Sequence, residues 1–425
     1  MSTQGLAMGQ RTPMERTLRP RESGWVAPVL CALFVLSWAL DAELVGEAAS
    51  IVPPIRWVII VSMCLATPFV SMRGIGRGWS IAFFLGALGF TVLCNGAFET
   101  SFPIYARILG AGILALFAGT LALSDRVKIA RFILIASAGI VIGSVVLAVV
   151  APDRAFRLIG LERERLYGLT PHPGIMGYFA SLVATVFGSS ALFSRRSTML
   201  RLRDGIIAGL GAVAVFLADS RTGEIALGLS LLCQFGMTRL VKSGWLRRSI
   251  VLPWVFFASA ILASTILPIA VAADAIPISV REDQYSGSTS GRIAIWKLGL
   301  SDFESNMVVG NGLGTTFATE DLGADKNLLF YYHSVLINYL AKSGIVGAIG
   351  LVTLLLSAPF VCLAAARRVA RQRSSSRDEL SLLHFALAAC TVTVAFASVE
   401  AALQNLYPSF LMYFLCITLP SRATT

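Results

Sequence analysis

An all-α, polytopic membrane protein of about twelve transmembrane helices is the fold class this chain predicts, on three observations. Apolar residues make up 56% of its 425 residues and charged residues 14%, with mean hydropathy +0.75. That leaves too little polar surface for a water-soluble globule. Apolar runs of roughly 17–25 residues, the length that crosses a bilayer, recur along nearly the whole chain. The segments that join them alternate in charge, as the loops of a multi-pass protein do.

The runs fall near Trp25–Leu40, Ile51–Met72, Trp79–Cys94, Ile104–Leu123, Ile129–Val150, His172–Phe193, Gly205–Ala218, Gly223–Thr238, Ile250–Ala272, Val335–Ala366, Leu380–Val399 and Leu406–Leu419. The seventh and eighth are short and are separated only by Asp219-Ser220-Arg221-Thr222. The tenth is long enough to begin outside the hydrocarbon. Residues 1–24 read as a basic cytoplasmic tail without a cleavable leader, and 25–425 as one membrane domain with a large outer loop over 273–332.

Arg11, Arg16, Arg19 and Arg21, then Arg73 and Arg77, Arg126/Lys128/Arg131, and the clusters at 195–203, 239–248 and 367–377 all fall on one side. The positive-inside rule makes that side cytoplasmic and puts both termini there. The net charge of +11 is therefore a topology signal, and nucleic acid is not an expected partner.

Against that pattern, Arg157, Arg163, Arg165, Arg221, Arg292 and His333 stand on the outer side. Basic groups there call for a reason, and an anionic ligand such as phosphate or pyrophosphate at the membrane surface supplies one. Arg157, Arg163 and Arg165 lie in the outer segment 151–171, either as a charged rim for a headgroup or as a solvated turn whose Glu and Arg side chains pair with each other. Arg221 breaks two apolar runs, and an Arg near hydrocarbon costs on the order of several kcal/mol unless it is paired. Asp219 or Glu224 would serve as a structural partner; a pyrophosphate is the functional one.

In the loop 273–332, Ile293, Trp296, Leu300 and Phe303 recur at helical spacing, which predicts an amphipathic helix lying on the membrane with Trp296 at its interface. Gly287–Gly291 precedes it and sets Arg292 in the first turn, where a cation opposes the helix dipole. Gly310-Asn311-Gly312-Leu313-Gly314 offers backbone amides to a phosphate, although a glycine cluster outside a strand-to-helix context is more often a plain turn. His333 opens the tenth run. An imidazole near arginines has its neutral form favoured, which suits a general base. With no second histidine beside it, no paired carboxylates and no cysteine cluster, no metal site and no cofactor are expected. The seven cysteines read as small packing residues.

Ser220-Arg221-Thr222, Gly291-Arg292 with Trp296, Gly310–Gly314, and His333 leading into Lys342-Ser343-Gly344-Ile345-Val346-Gly347 resemble, in order and spacing, the O-antigen ligase and exopolysaccharide polymerase superfamily. His172-Pro173-Gly174 resembles that family's His-Pro-Asn segment, with Gly174 in place of Asn, so no catalytic role is assigned to His172. The resemblance runs from about Arg157 to Gly350. It implies a metal-independent, inverting membrane glycosyltransferase on the periplasmic face of the bacterial inner membrane. The donor would be an undecaprenyl-pyrophosphate-linked glycan and the acceptor another glycan, with a chain-length regulator or other assembly protein as a further partner. Arg221 and Arg292 would hold the pyrophosphate and His333 would take the acceptor's proton. Polymerisation of lipid-linked repeats and ligation to lipid A-core both stay open, with the polymerase branch the closer likeness. A lipid-linked oligosaccharide flippase is the reading from another class; the chain shows no self-similarity between its halves, and its charges gather at one face.

Overall fold

Each apolar run coincides with a helix in the computed structural model, which describes residues 25–39, 52–65, 78–159, 163–193, 197–276, 289–315, 317–318, 328–329, 332–372, 376–399 and 407–420. The basic tail and parts of the outer loop (277–288, 316, 319–327 and 330–331) lie outside the described residues. We number the helices α1 (Val26–Ala39), α2 (Val52–Cys64), α3 (Trp79–Cys94), α4 (Phe98–Thr120), α5 (Leu123–Val150), α6 (Pro173–Phe193), α7 (Thr198–Leu217), α8 (Arg221–Lys242), α9 (Val251–Ala272), α10 (Thr289–Ser305), α11 (Val335–Arg371), α12 (Arg377–Val399) and α13 (Tyr407–Thr418). All but α10 answer to one of the expected runs. Among the described residues seven helices are by themselves long and apolar enough to cross a membrane, and shorter apolar helices over 26–37, 79–94 and 408–418 accompany them.

The outside of the bundle is as apolar as its inside. Val149, Val150, Leu232 and Phe256 are each more than two-thirds exposed, an arrangement water would penalise and lipid does not. Inside, several hydroxyls find partners within the protein, as hydrocarbon favours, although Thr185, Ser189 and Ser334 find none among the described residues. Tyr178 meets Thr393 at 2.8 Å, Tyr413 donates to the Leu355 carbonyl at 2.8 Å, and Ser230 meets Thr391 at 2.8 Å. Cys31, Cys362, Cys390 and Cys416 are buried as packing residues, whereas Cys94 is exposed.

The two ends of the bundle differ, and side-chain contacts show which residues share an end. Arg126 at the start of α5 is almost wholly buried and donates to the Leu419 carbonyl at 2.8 Å. Arg368 near the end of α11 donates to the carbonyl of Pro420. Arg367 donates to the carbonyl of Arg248, just beyond α8, at 3.3 Å. The start of α5 and the ends of α8, α11 and α13 thus form one basic end. The end of α5 and the starts of α8 and α11 therefore meet at the other, which carries Arg221 and His333.

Two departures from pure helix sit at that second end. Strands β1 (Phe156–Ile159) and β2 (Arg163–Leu166) form an antiparallel hairpin in the segment expected to be a rim or turn. A second, minimal pairing joins β3 (Phe317–Ala318) to β4 (Leu328–Leu329).

Candidate functional site

The hairpin is pinned to the bundle on its apolar side. Ala155 and Leu166 are buried, the Tyr167 and Gly168 amides both donate to the Ala155 carbonyl at 2.9 and 3.0 Å, and the Leu169 amide donates to Ser144 Oγ of α5 at 2.9 Å. Phe156 pairs with Leu166, and Arg157 stands directly opposite Arg165. Cross-strand partners share a face, so these two guanidinium groups leave the ribbon together, and like charges so placed repel. Each is answered by a neighbour. The Arg165 Nε lies 3.4 Å from Asp219 Oδ2, and the Arg157 guanidinium sits 5.1 Å from the centre of the Tyr167 ring. Burial raises the Tyr167 phenol above its ordinary range, although both arginines pull it down. Arg163 occupies the register position opposite Ile159. Arg165 and Asp219 tie the hairpin to the turn before α8, while Glu162 lies outside the described residues.

Arg221 is the first residue of α8. It is exposed at the helix end. Ser220 caps the helix, its Oγ accepting from the Gly223 amide at 3.1 Å. Asp219 before it adopts φ +43, a left-handed conformation that costs energy and is held where the surroundings require it. Among the described residues Arg221 pairs with neither Asp219 nor Glu224, so the structural partners considered for it are absent. A cation in the first turn adds to the partial positive charge of the helix N-terminus instead of relieving it.

A second N-terminus lies against this one. A Cβ on Gly177 of α6 would stand 2.8 Å from Ser220 Oγ, and one on Gly223 would stand 3.3 Å from the Gly177 Cα. Ser181 Oγ joins the two helices by bonding to the carbonyls of Gly177 and Gly223 at 2.7 and 2.9 Å. At the tip of α6, His172 is exposed and its Nδ1 accepts from the Gly174 amide at 3.0 Å, so the ring acts as a cap. Two helix N-termini, Arg157, Arg165 and Arg221 thus converge, and the sum favours an anion.

The other candidates, Arg292 and His333, lie in a neighbouring assembly at the same end. Helix α10 spans the predicted stretch and carries Arg292 in its first turn. Ile295, Trp296, Leu298 and Leu300, together with Ile269 of α9, pack against Tyr332, Ile337 and Ala341. A Cβ on Gly299 would stand 2.5 Å from Ile337 and 2.8 Å from Tyr332. The helix is therefore docked on α9 and α11 through Trp296 and Leu300 of the expected stripe with Ile295 and Leu298, whereas Ile293 and Phe303 stand outside this cluster. Tyr332 is buried and donates to the Asp302 carboxylate; burial first, then that carboxylate, raises its phenol pKa. His333 follows with φ +50, strain of the kind that gathers at functional sites.

The glycine cluster has a structural task. Helix α11 is broken at Gly344, whose φ of 61° and ψ of −166° suit glycine alone. The break exposes backbone groups that the segment 307–312 takes up. Asn311 and Gly312 amides donate to the Ala341 and Lys342 carbonyls at 3.0 Å each, and the Ile345 amide donates to Met307 at 2.8 Å. The Leu313 amide is held by Ser101 Oγ of α4 at 2.9 Å. These amides are consumed, so the phosphate-cradle reading of Gly310–Gly314 is withdrawn in favour of the plain turn. Lys342 beside the break is almost fully buried, its Nζ 3.5 Å from the Leu313 carbonyl. The sequence names Lys342 only as the start of the 342–347 motif, because its burial beside the break depends on the segment packed across from it.

Residues 206–352, from α7 into α11, match the family described as O-antigen ligase. This stretch, about a third of the chain, is similar to the O-antigen ligase family. It contains Arg221, Arg292, the 310–314 turn, His333 and Gly344, so the superfamily resemblance is supported over that span, while the hairpin and His172 lie outside it. Comparison with curated proteins yields no match.

Proposed function

We propose that the protein is a glycosyltransferase that polymerises undecaprenyl-pyrophosphate-linked repeats on the periplasmic face of the inner membrane. The observation that carries this reading is the gathering, at the end of the bundle opposite its basic clusters, of Arg221 and two helix N-termini with Arg157 and Arg165, His333 opening α11 at the same end. Within the O-antigen ligase-like family, lipid-linked glycans are the substrate class. The charge bias of the other end makes that end cytoplasmic.

In the proposed reaction Arg221 and Arg292 hold the pyrophosphate. The acceptor hydroxyl oxygen attacks the anomeric carbon from the side opposite the leaving group. The carbon–oxygen bond to pyrophosphate breaks, His333 Nε2 or Nδ1 takes the hydroxyl proton, and the lipid pyrophosphate leaves with its electron pair, inverting the anomeric centre. The guanidinium groups and helix N-termini stabilise the charge that develops on the leaving group, a contribution that metal ions make elsewhere.

The family description itself favours a second reading, ligation of a finished glycan to lipid A-core. Both are tested by deleting the gene and analysing the lipid-linked intermediates. Accumulated single repeats support polymerisation, accumulated finished polymer supports ligation, and no accumulation removes both. Formation of product by the purified protein in detergent, where no transport exists, separates either reading from a flippase.

A further inference from the structure

Helix α8 ends at the basic end, about 30 Å along its axis from Arg221 by the helical rise. Two adjoining cavities open there, of about 510 Å³ and about 600 Å³. Ser243 lines both. Arg239 and Lys242 line the first, Trp245 and Arg248 the second. No acidic residue lines either cavity among the described residues. None of the three cations is ion-paired among them; Arg239 rests its guanidinium 5.1 Å from the Phe235 ring. Phe235 and Trp245 are both exposed, at 50% and 38%, and give the cavities an apolar flank on the outside of the bundle. Gly244, at φ +71, turns the chain between α8 and the helical turn Trp245–Arg248.

Two cations on one cavity and a third on its neighbour, the two sharing Ser243, with the exposed aromatic side chains Phe235 and Trp245 on their linings, make a headgroup site more than a solvated charge run. We infer that this groove binds the phosphate headgroup of an anionic phospholipid of the leaflet at the basic end, with Arg239, Lys242 and Arg248 on the phosphate and Phe235 and Trp245 against the glycerol and first acyl carbons. Free phosphate offers the same charge without the apolar part. The site is separate from the proposed transfer site by the length of α8.

The test uses the full-length protein in neutral detergent and follows its thermal unfolding midpoint as cardiolipin, phosphatidylglycerol, phosphatidylethanolamine or inorganic phosphate is added. The anionic lipids raise the midpoint at concentrations where phosphatidylethanolamine and inorganic phosphate do not. Arg239→Gln, Lys242→Gln and Arg248→Gln each shift the half-effective lipid concentration about fivefold, the weight of one cation at a membrane surface. Ser243→Trp, which fills the groove and keeps every charge, shifts it as well and decides the matter if a charge variant fails to fold. Arg201→Gln, at the same end but outside the groove, leaves it unchanged. Equal stabilisation by phosphatidylethanolamine or inorganic phosphate, an unshifted Ser243→Trp, or an equal loss in Arg201→Gln each overturns the proposal. Transfer activity is not the readout, so the outcome stands apart from the proposed function.

Discussion

The guanidinium of Arg165 lies 3.4 Å from the carboxylate of Asp219, and this contact occupies the acid that stands two residues before Arg221. Partly exposed pairs of this kind add little to stability. The consequence is electrostatic: the hairpin is tied to the turn before α8, and Arg221 stands beside a capped helix N-terminus with no carboxylate paired to it among the described residues. An oxyanion arriving there meets fixed positive charge and little that must first be displaced, the arrangement that makes preorganised sites effective.

Arg221→Ala is expected to leave the thermal midpoint nearly unchanged, since the exposed side chain has no partner to lose and such substitutions stay within about 0.5 kcal/mol. Transfer falls sharply in the same variant. Arg221→Lys is expected to be nearly as inactive, because it keeps the charge and loses the planar fork that grips two phosphate oxygens. Substantial activity in the Lys variant would reduce Arg221 to a point charge.

His333→Ala is expected to lower the transfer rate about 10²–10⁴-fold, the usual cost of removing a general base, with lipid-pyrophosphate affinity retained. Rate and affinity are measured on the same purified variant. A large loss of affinity with the saturated rate preserved places His333 in the binding site instead, and adding a chelator to the wild-type protein should change neither quantity.

Gly177→Ala is expected to destabilise the protein by about 1–3 kcal/mol through overpacking and to reduce transfer, since the added Cβ meets Ser220 Oγ at 2.8 Å and displaces the residue that caps Arg221's helix. Gly205→Ala, where no atom lies within 4 Å, serves as the neutral control in the same thermal assay. Equal behaviour of the two variants would show that the α6–α8 crossing is looser than described.

Gly344→Ala is expected to cost more than about 2 kcal/mol, combining a backbone conformation reserved to glycine with a Cβ only 2.3 Å from the Val308 carbonyl oxygen. Purified Gly344→Ala should unfold at a clearly lower temperature than Gly228→Ala, whose added Cβ meets nothing within 4 Å. A wild-type midpoint would mean that α11 accepts a continuous helix and that the 307–312 turn is dispensable.

Hydrocarbon made the helices legible, because a run such as Ile129–Val150 needs only length and apolarity to be recognised. The basic residues of the outer end were legible for the converse reason, as exceptions to a charge bias. The hairpin was not, since Phe156–Ile159 and Arg163–Leu166 are four residues each, too short for alternation to stand out. Nor was the use of Gly310 and Gly312 to satisfy a broken helix, or the crossing of Gly177 on Gly223. Each depends on which segment lies across from it, and that is long-range information absent from local spacing.

The sidedness of the molecule ties these expectations together and is testable on residues at its two ends. Cys94 is exposed and would react with thiol reagents itself, so the experiment starts from Cys94→Ser. In that background Ser301→Cys, on the exposed part of α10, and Gln372→Cys, at the far end of α11, are each accessible. Helix α11 places these ends apart: α10 packs on its start through Tyr332 and Ile337, while Gln372 caps its finish. With the outer membrane made permeable, a membrane-impermeant maleimide is expected to label Ser301→Cys in whole cells and to label Gln372→Cys only after the inner membrane is broken. The expectation follows from the cations clustered at the Gln372 end, which resist translocation. Labelling of Gln372→Cys alone in whole cells would put Arg221 and His333 in the cytoplasm, and with them the proposed transfer reaction on the wrong side for a periplasmic donor.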